Sequence, residues 1–251
     1  MHDSDSLDLV IDAQPSTVFP LLVSPAQIAR WLGRGATLSG DAPGAELRVA
    51  FPNGDVAAGA LVEAEPDRRA VYSWGYEGAA NGIAAGSTKV TIELRPIDQR
   101  TEVSLRHEGL DADQRRAHFT GWRHYLGTLA AAATDDELRP LAGRAVDDYF
   151  AAWREADPAG RVEILRRCWS EDAAFRDASS LVEGLDALSA HIQGALAFIP
   201  GVSLVHDGRL THCQGFVQFG WNATMGDTVL AHGTNFGRVS REGRFAFVVG
   251  M

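Results

Sequence analysis

Residues 111–133, "DADQRRAHFTGWRHYLGTLAAAA", decide the predicted fold of the first half of the chain. Apolar side chains recur in this segment every three or four residues, the spacing that places them on one face of an α-helix. They are Phe119, Trp122, Leu126, Leu129 and Ala133. A helix with such a face needs an apolar partner, and the residues before it are typical of strands. We therefore expect one long helix packed against a sheet.

The residues before this helix alternate between apolar and polar side chains, as strands with one buried face do. In "SLDLVIDA", Leu7, Leu9 and Ile11 share a face. A helix beginning at Pro15 follows, and "SPAQIARWL" predicts a second helix with Ser24 as its N-cap. Further strands are expected near residues 45–51, 57–64, 70–76, 88–95 and 101–108.

The polar segment "TDDELRP", residues 134–140, predicts a domain boundary that divides the chain into 1–136 and 137–251. The second half opens with a helix on which Tyr149 and Trp153 share a face with Val146 and Phe150. A helix near 159–169, a strand containing Phe175 and a third helix follow. Strands are then expected near 202–209, 214–223, 228–239 and 244–250. This order predicts the α+β class.

Composition excludes several kinds of partner. The formal net charge is −10, and acidic residues outnumber basic ones in both halves, so we expect no nucleic acid partner. The first ten residues lack a basic and apolar leader, and no apolar run could span a bilayer. Cys168 and Cys213 are expected to be reduced thiols. We predict a cytoplasmic protein with no membrane partner.

Motifs for metals and cofactors are missing from the sequence. The glycines of "GRGATLSG", residues 33–40, follow a helix and have the wrong spacing for a dinucleotide site. The histidines and cysteines of the second half form neither CxxC nor HExxH, and GxSxG does not occur. We therefore expect no metal and no cofactor.

Both halves resemble known families. Residues 6–133 resemble the SRPBCC (START-like) helix-grip superfamily, in the branch named after the activator of the heat-shock protein 90 ATPase, through "PSTVFPLLVSPAQIARWLG", "GALVEAEPDRRAVYSWGYE" and "GWRHYLGTLAA". Residues 141–251 resemble the SnoaL-like polyketide cyclase branch of the nuclear transport factor 2-like fold, through "DDYFAAWREAD", "CWSEDAAFRDASSLVEGLDALSAHI" and "HGTNFGRVSREGRFAFVVG". The resemblance implies a helix-grip domain followed by a cone-shaped α+β barrel, each enclosing a cavity.

The second half also resembles ketosteroid isomerase, another member of that fold. This resemblance implies that Tyr149 is an oxyanion-hole donor, Asp177 the general base and Asn235 a second donor. Asn235 replaces a protonated aspartate, so we do not expect steroid isomerisation itself. The residues alone leave alternatives: Asp177 as a turn carboxylate in "DASS", Tyr149 as a structural hydroxyl and Asn235 as a hydrogen-bonded core amide.

Four further side chains are predicted ligand contacts. Trp153 shares the helix face of Tyr149, and Trp221 shares a strand face with Val217 and Phe219. In the first half, Trp74 lies between Tyr72 and Tyr76 on one strand face, and His107 has the inward parity of Val103 and Leu105. The alternatives are ordinary core packing for the aromatic face and a buried, hydrogen-bonded histidine at 107.

Three functions compatible with these residues remain open. The first is an isomerase, cyclase or hydrolase acting by acid/base chemistry on a small hydrophobic carbonyl metabolite, such as a polyketide. The second is a non-catalytic protein that binds such a molecule. The third, suggested only by a family name, is a co-chaperone of a heat-shock ATPase. A homodimer is expected through the outer face of the last sheet, which carries Leu230, His232, Thr234 and Phe236.

Overall fold

The computed structural model describes residues 6–251, which divide into two compact units. The first unit ends at Glu137 and the second begins at Leu138. Each unit has its own sheet and its own cluster of buried apolar side chains. The chain is therefore of the α+β class, as predicted. No helix within the described range is long and apolar enough to cross a bilayer.

An antiparallel sheet of seven strands forms the first unit, in the order β1-β7-β6-β5-β4-β3-β2. The alternation of the sequence accounts for it, because inward positions such as Leu7 and Ile11 are buried. The strands are β1 (Ser6–Ile11), β2 (Gly35–Leu38), β3 (Glu46–Ala50), β4 (Val56–Glu65), β5 (Arg69–Trp74), β6 (Thr88–Ile97) and β7 (Arg100–Glu108). Strand β2 was not predicted.

The helix α1 spans Pro15–Val23, with proline in its first turn as expected. The second helix predicted from "SPAQIARWL" is wrong, because only a 3₁₀ turn at Ile28–Arg30 forms there. Ser24 ends α1 instead of beginning a new helix: its backbone N–H donates to the carbonyl oxygen of Pro20 at 3.0 Å.

The helix α2 spans Ala112–Arg154 without interruption. The sequence predicts separate helices on either side of 134–140, whereas the structure has one helix through this segment, and even Pro140 lies inside it. The polar side chains of this segment have partners in the first unit. Asp136 pairs with Arg30 at 2.6 Å, and Glu137 accepts a hydrogen bond from Thr17. These contacts hold the segment helical, although its composition is that of a loop.

The second unit is built on a six-stranded sheet in the order β10-β11-β12-β13-β8-β9. Strands β13 and β8 pair in parallel, and the other neighbours are antiparallel. Strand β9 was not predicted. The elements are α3 (Pro158–Cys168), β8 (Trp169–Arg176), β9 (Leu181–Glu183), α4 (Leu185–Phe198), β10 (Ser203–Cys213), β11 (Phe216–Met225), β12 (Thr228–Val239) and β13 (Phe245–Gly250).

Candidate functional site

The first unit contains a cavity of about 590 Å³ between the sheet and α2. One part of its wall is aromatic and the other is polar. The aromatic part comprises Phe51, Trp74, Tyr76, Trp122 and Tyr125, and the polar part comprises Asn53, Asp55, Asn81, Asp113, Gln114 and His118. A space of this size with a few polar groups is typical of a small-molecule site.

The aromatic wall is a continuous set of ring contacts. Trp74, at the end of β5, is buried, and its ring centroid lies 5.0 Å from that of Trp122 on α2. Phe51 lies 6.4 Å from Trp74 and 5.8 Å from Tyr125. These centroid distances lie within the range of about 4.5–7 Å that is usual for interacting aromatic pairs. The structure thus brings Trp74, a predicted ligand contact, to the cavity.

His107 lies next to these rings but is not among the residues that line the cavity. The indole N–H of Trp122 donates to its Nδ1 at 3.1 Å, so the hydrogen of the neutral ring is on Nε2. Nε2 donates to the hydroxyl of Thr88 at 2.9 Å, and that hydroxyl donates to the carbonyl oxygen of Trp74. Burial first, and then the charge of His118, lower the pKa of His107 to about 3. His107 is a neutral side chain that supports the aromatic wall.

His118 was not predicted as a site residue. Its Nε2 lies 2.9 Å from the hydroxyl oxygen of Tyr76, on the polar part of the wall. The spacing of residues in the sequence nevertheless indicates that His118 belongs to the cavity wall. His118, Gly121, Trp122 and Tyr125 have the spacing i, i+3, i+4 and i+7, which defines a second helix face beside the purely apolar one. All four line the cavity.

In the second unit, the structure brings Tyr149, Trp153 and Asn235 together. Tyr149 and Asn235 are 1% and 3% exposed. Burial raises the pKa of the Tyr149 hydroxyl, while hydrogen bonding with the side chains of Trp153 and Asn235 opposes that rise. The indole N–H of Trp153 is buried and has no hydrogen bond of ordinary geometry, so its contact with Tyr149 is a weak one. Both oxyanion-hole candidates therefore share one buried region.

Asp177 follows β8 and is exposed. One of its carboxylate oxygens accepts a hydrogen bond from the backbone N–H of Ser179 at 2.8 Å, which is the turn contact that the sequence left as an alternative. Asp177 also borders Asn235. A Cβ atom at Gly250 would lie 3.4 Å from Cβ of Asp177 and 3.3 Å from Oδ1 of Asn235. Because both lie so close to the same point, Cβ of Asp177 and Oδ1 of Asn235 are less than about 7 Å apart.

Trp221 and His191 also belong to the second unit. Trp221 is half-buried, and its ring lies across Gly233 on β12. His191 on α4 lies 6.2 Å from the ring of Trp153 and 5.2 Å from that of Phe175. In the sequence, His191 is one of the second-half histidines that form no HExxH motif. Among residues 6–251, no group of three or more histidine, cysteine, aspartate or glutamate side chains could hold a metal ion.

Comparison with known families bears on the first unit most directly. Residues 12–134 match the family described as activator of Hsp90 ATPase homolog 1-like protein. The AHSA1-like protein from Rhizobium etli is 34% identical, and the match covers 51% of this chain and 82% of that one, with a TM-score of 0.38. Through its first unit, the chain belongs to this family, which confirms the resemblance recognised in the sequence. No curated protein matches the chain significantly.

Two further solved structures are similar to parts of the chain. A protein of the SnoaL-like family from Agrobacterium tumefaciens is 28% identical over 44% of this chain and 96% of its own, with a TM-score of 0.42. It carries the family name that the sequence of the second half had suggested. The Aha1 dimer from Colwellia psychrerythraea is 20% identical over 51% of this chain and 93% of its own, also with a TM-score of 0.42.

Proposed function

We propose that the protein binds a small, planar and mainly apolar molecule in the cavity of the first unit. The observation that carries this proposal is the cavity of about 590 Å³ with five aromatic side chains in its wall. That volume lies within the range of about 300–1,000 Å³ common for small-molecule sites. Aromatic walls favour flat apolar ligands because ring contacts add to the free energy of burying apolar area.

Two glycines on α2 allow a matched test. Gly121 lines the cavity, and a Cβ atom there would meet nothing within 4 Å. Gly127 is also free of neighbours but does not line the cavity. Leucine at either position should favour the helix, so neither variant is expected to unfold the protein. Only Gly121→Leu places four extra carbon atoms in the ligand's space.

The probe is fluorene, a planar tricyclic hydrocarbon, measured by equilibrium dialysis against the full chain. Wild type and Gly127→Leu should bind it with equal affinity, and Gly121→Leu should bind at least about tenfold more weakly, because the extra side chain overlaps the ligand. Equal binding by all three proteins, or none by the wild type, would contradict the proposal.

A second candidate function is acid/base chemistry on a small carbonyl metabolite, such as a polyketide, in the second unit. The contact of the Tyr149 hydroxyl with Asn235, and the position of Asp177 beside that amide, favour it. Asp177 would remove a proton next to the carbonyl group, and Tyr149 and Asn235 would donate to the enolate oxygen. Trp153 and Trp221 would contact the apolar part of the substrate.

Proton exchange tests this second candidate without knowledge of the substrate. The probe is 1-indanone in D₂O, and NMR follows the loss of the protons next to its carbonyl group. The protein should accelerate this loss, Asp177→Asn should abolish the acceleration, and Asp172→Asn, an exposed carboxylate on β8, should retain it. Equal rates for both variants would contradict the role of Asp177.

Three finer proposals accompany these functions. The two units are proposed to be a helix-grip domain and a cone-shaped barrel, and the protein is proposed to be cytoplasmic. A homodimer through the second unit is supported by the exposed side chains of Leu230 and Phe236, which are 49% and 37% exposed. A monomeric mass by light scattering at micromolar concentration would contradict it. A role as a co-chaperone has only the family's name in its favour.

A further inference from the structure

In the first unit's cavity, one side chain of the aromatic part of the wall hydrogen-bonds to one of the polar part. The hydroxyl oxygen of Tyr76 lies 2.9 Å from Nε2 of His118, and Nδ1 of His118 lies 2.7 Å from the carbonyl oxygen of Gln114. All three residues line the cavity. A carbonyl oxygen can only accept a hydrogen bond, so Nδ1 of His118 carries a hydrogen whether the ring is neutral or charged.

The direction of the Tyr76–His118 hydrogen bond therefore depends on the charge of His118. In the neutral ring, Nε2 has no hydrogen and accepts the hydroxyl hydrogen of Tyr76, which leaves a lone pair on the tyrosine oxygen for a ligand that donates. In the charged ring, Nε2 donates to the tyrosine oxygen. The hydroxyl hydrogen of Tyr76 is then free for a ligand that accepts.

We propose that Tyr76 and His118 bind the one polar atom of an otherwise apolar fused-ring ligand, and that the proton on His118 selects its type. Neutral His118 favours an N–H or O–H group, and charged His118 favours a carbonyl oxygen. This inference rests on the proposed ligand binding in the same cavity and names the chemical class of the ligand.

The other titratable groups that face His118 come from its own helix and from neighbouring elements of the first unit. The ring of His107 lies 5.1 Å away, and burial lowers its pKa to about 3, so it stays neutral. Asp55, Asp113 and Tyr125 line the same cavity, and burial raises the pKa of Tyr125. Among the residues that line the cavity, His118 is the one histidine, and the presence or absence of its Nε2 proton sets the polarity of the pair.

Three tricyclic compounds of similar size test the inference on the full chain. Fluorene has no polar group, carbazole has one N–H donor and fluoren-9-one has one carbonyl acceptor. Their dissociation constants are measured by equilibrium dialysis at pH 6.0 and pH 8.5, both above the calculated pI of about 5.2. We expect fluorene to bind equally at both values. The preference for fluoren-9-one over carbazole should rise about three- to tenfold at pH 6.0, the effect of one hydrogen bond.

Two glutamine variants separate this role from general effects of pH. His118→Gln removes the titrating ring, so the preference should no longer depend on pH. His124→Gln, an exposed position on the same helix, should behave as wild type. Circular dichroism verifies that both variants are folded.

Different outcomes of this experiment contradict either the inference alone or the proposed function as well. If fluorene binds the wild type but the preference is independent of pH, the inference is wrong and the proposed function stands. A preference that still depends on pH in His118→Gln also overturns it. If fluorene does not bind the wild type at either pH, the proposed function fails and the inference fails with it.

Discussion

The neutral state of His107 predicts how the first unit responds to acid. Burial, and secondarily the charge of His118, lower its pKa to about 3, against an ordinary value of 6.5. The unfolded chain takes up a proton near pH 6.5, whereas the folded unit resists protonation until about pH 3. The contribution of neutral His107 to stability is therefore complete above pH 6.5 and is lost as the pH falls toward 3.

The size of this loss follows from the difference between the two pKa values. Each pH unit within the window lowers the free energy of unfolding by up to about 1.4 kcal/mol, so the change from pH 7.5 to 4.5 amounts to about 2–3 kcal/mol. His107→Gln removes the titrating ring. The variant should be less stable at pH 7.5, because Trp122 and Thr88 lose well-placed partners, but its deficit should shrink by about 2–3 kcal/mol at pH 4.5.

The assay is urea unfolding followed through the indole N–H signal of Trp122, which reports on the first unit because this N–H donates to His107. His124→Gln is the control, since His124 is exposed and its replacement should leave the pH dependence unchanged. If wild type and His107→Gln lose stability in parallel as the pH falls, the assignment of a buried neutral ring at His107 is refuted.

Two further destabilising variants, one in each unit, test single contacts of the structure. In the first unit, Gly59→Ala should lower the free energy of urea unfolding by at least about 3 kcal/mol, because the new methyl group would collide with the backbone carbonyl of Ser73. The control is Gly35→Ala, whose methyl group would lie in open space, and its free energy of unfolding should change by no more than about 0.5 kcal/mol. In the second, Asp157→Ala should lower the stability by about 1 kcal/mol, because the side chain of Asp157 caps α3 by accepting from the N–H of Gly160 at 2.8 Å. An unchanged midpoint for either destabilising variant would contradict its contact.

Local periodicity predicted most elements, because burial on one face leaves a pattern in neighbouring residues. The continuity of α2 was not predictable in this way. Its segment at 134–140 has the composition of a loop, and the partners of Asp136 and Glu137 lie more than 100 residues away, on Arg30 and Thr17. No local pattern contains that information.

The candidate sites show the same limit. Trp74 was predicted because an aromatic side chain on an inward strand face is visible in the sequence. His118 was overlooked because the helix face was defined by apolar residues alone, which excludes a polar residue at its border. For Asp177, the sequence offered a turn or a pocket. Its turn contact with Ser179 and its position near Asn235 both occur, and they involve different atoms of one side chain.

The most direct test of ligand binding in the first unit is an NMR titration of tryptophan-labelled protein with fluorene. Trp74 and Trp122 line the cavity, whereas Trp153 and Trp221 belong to the second unit. We predict that the indole signals of Trp74 and Trp122 shift with fluorene and that those of Trp153 and Trp221 stay in place. In Gly121→Leu, the shifts should disappear. Signals that move only for Trp153 and Trp221, or that do not move at all, would contradict the account.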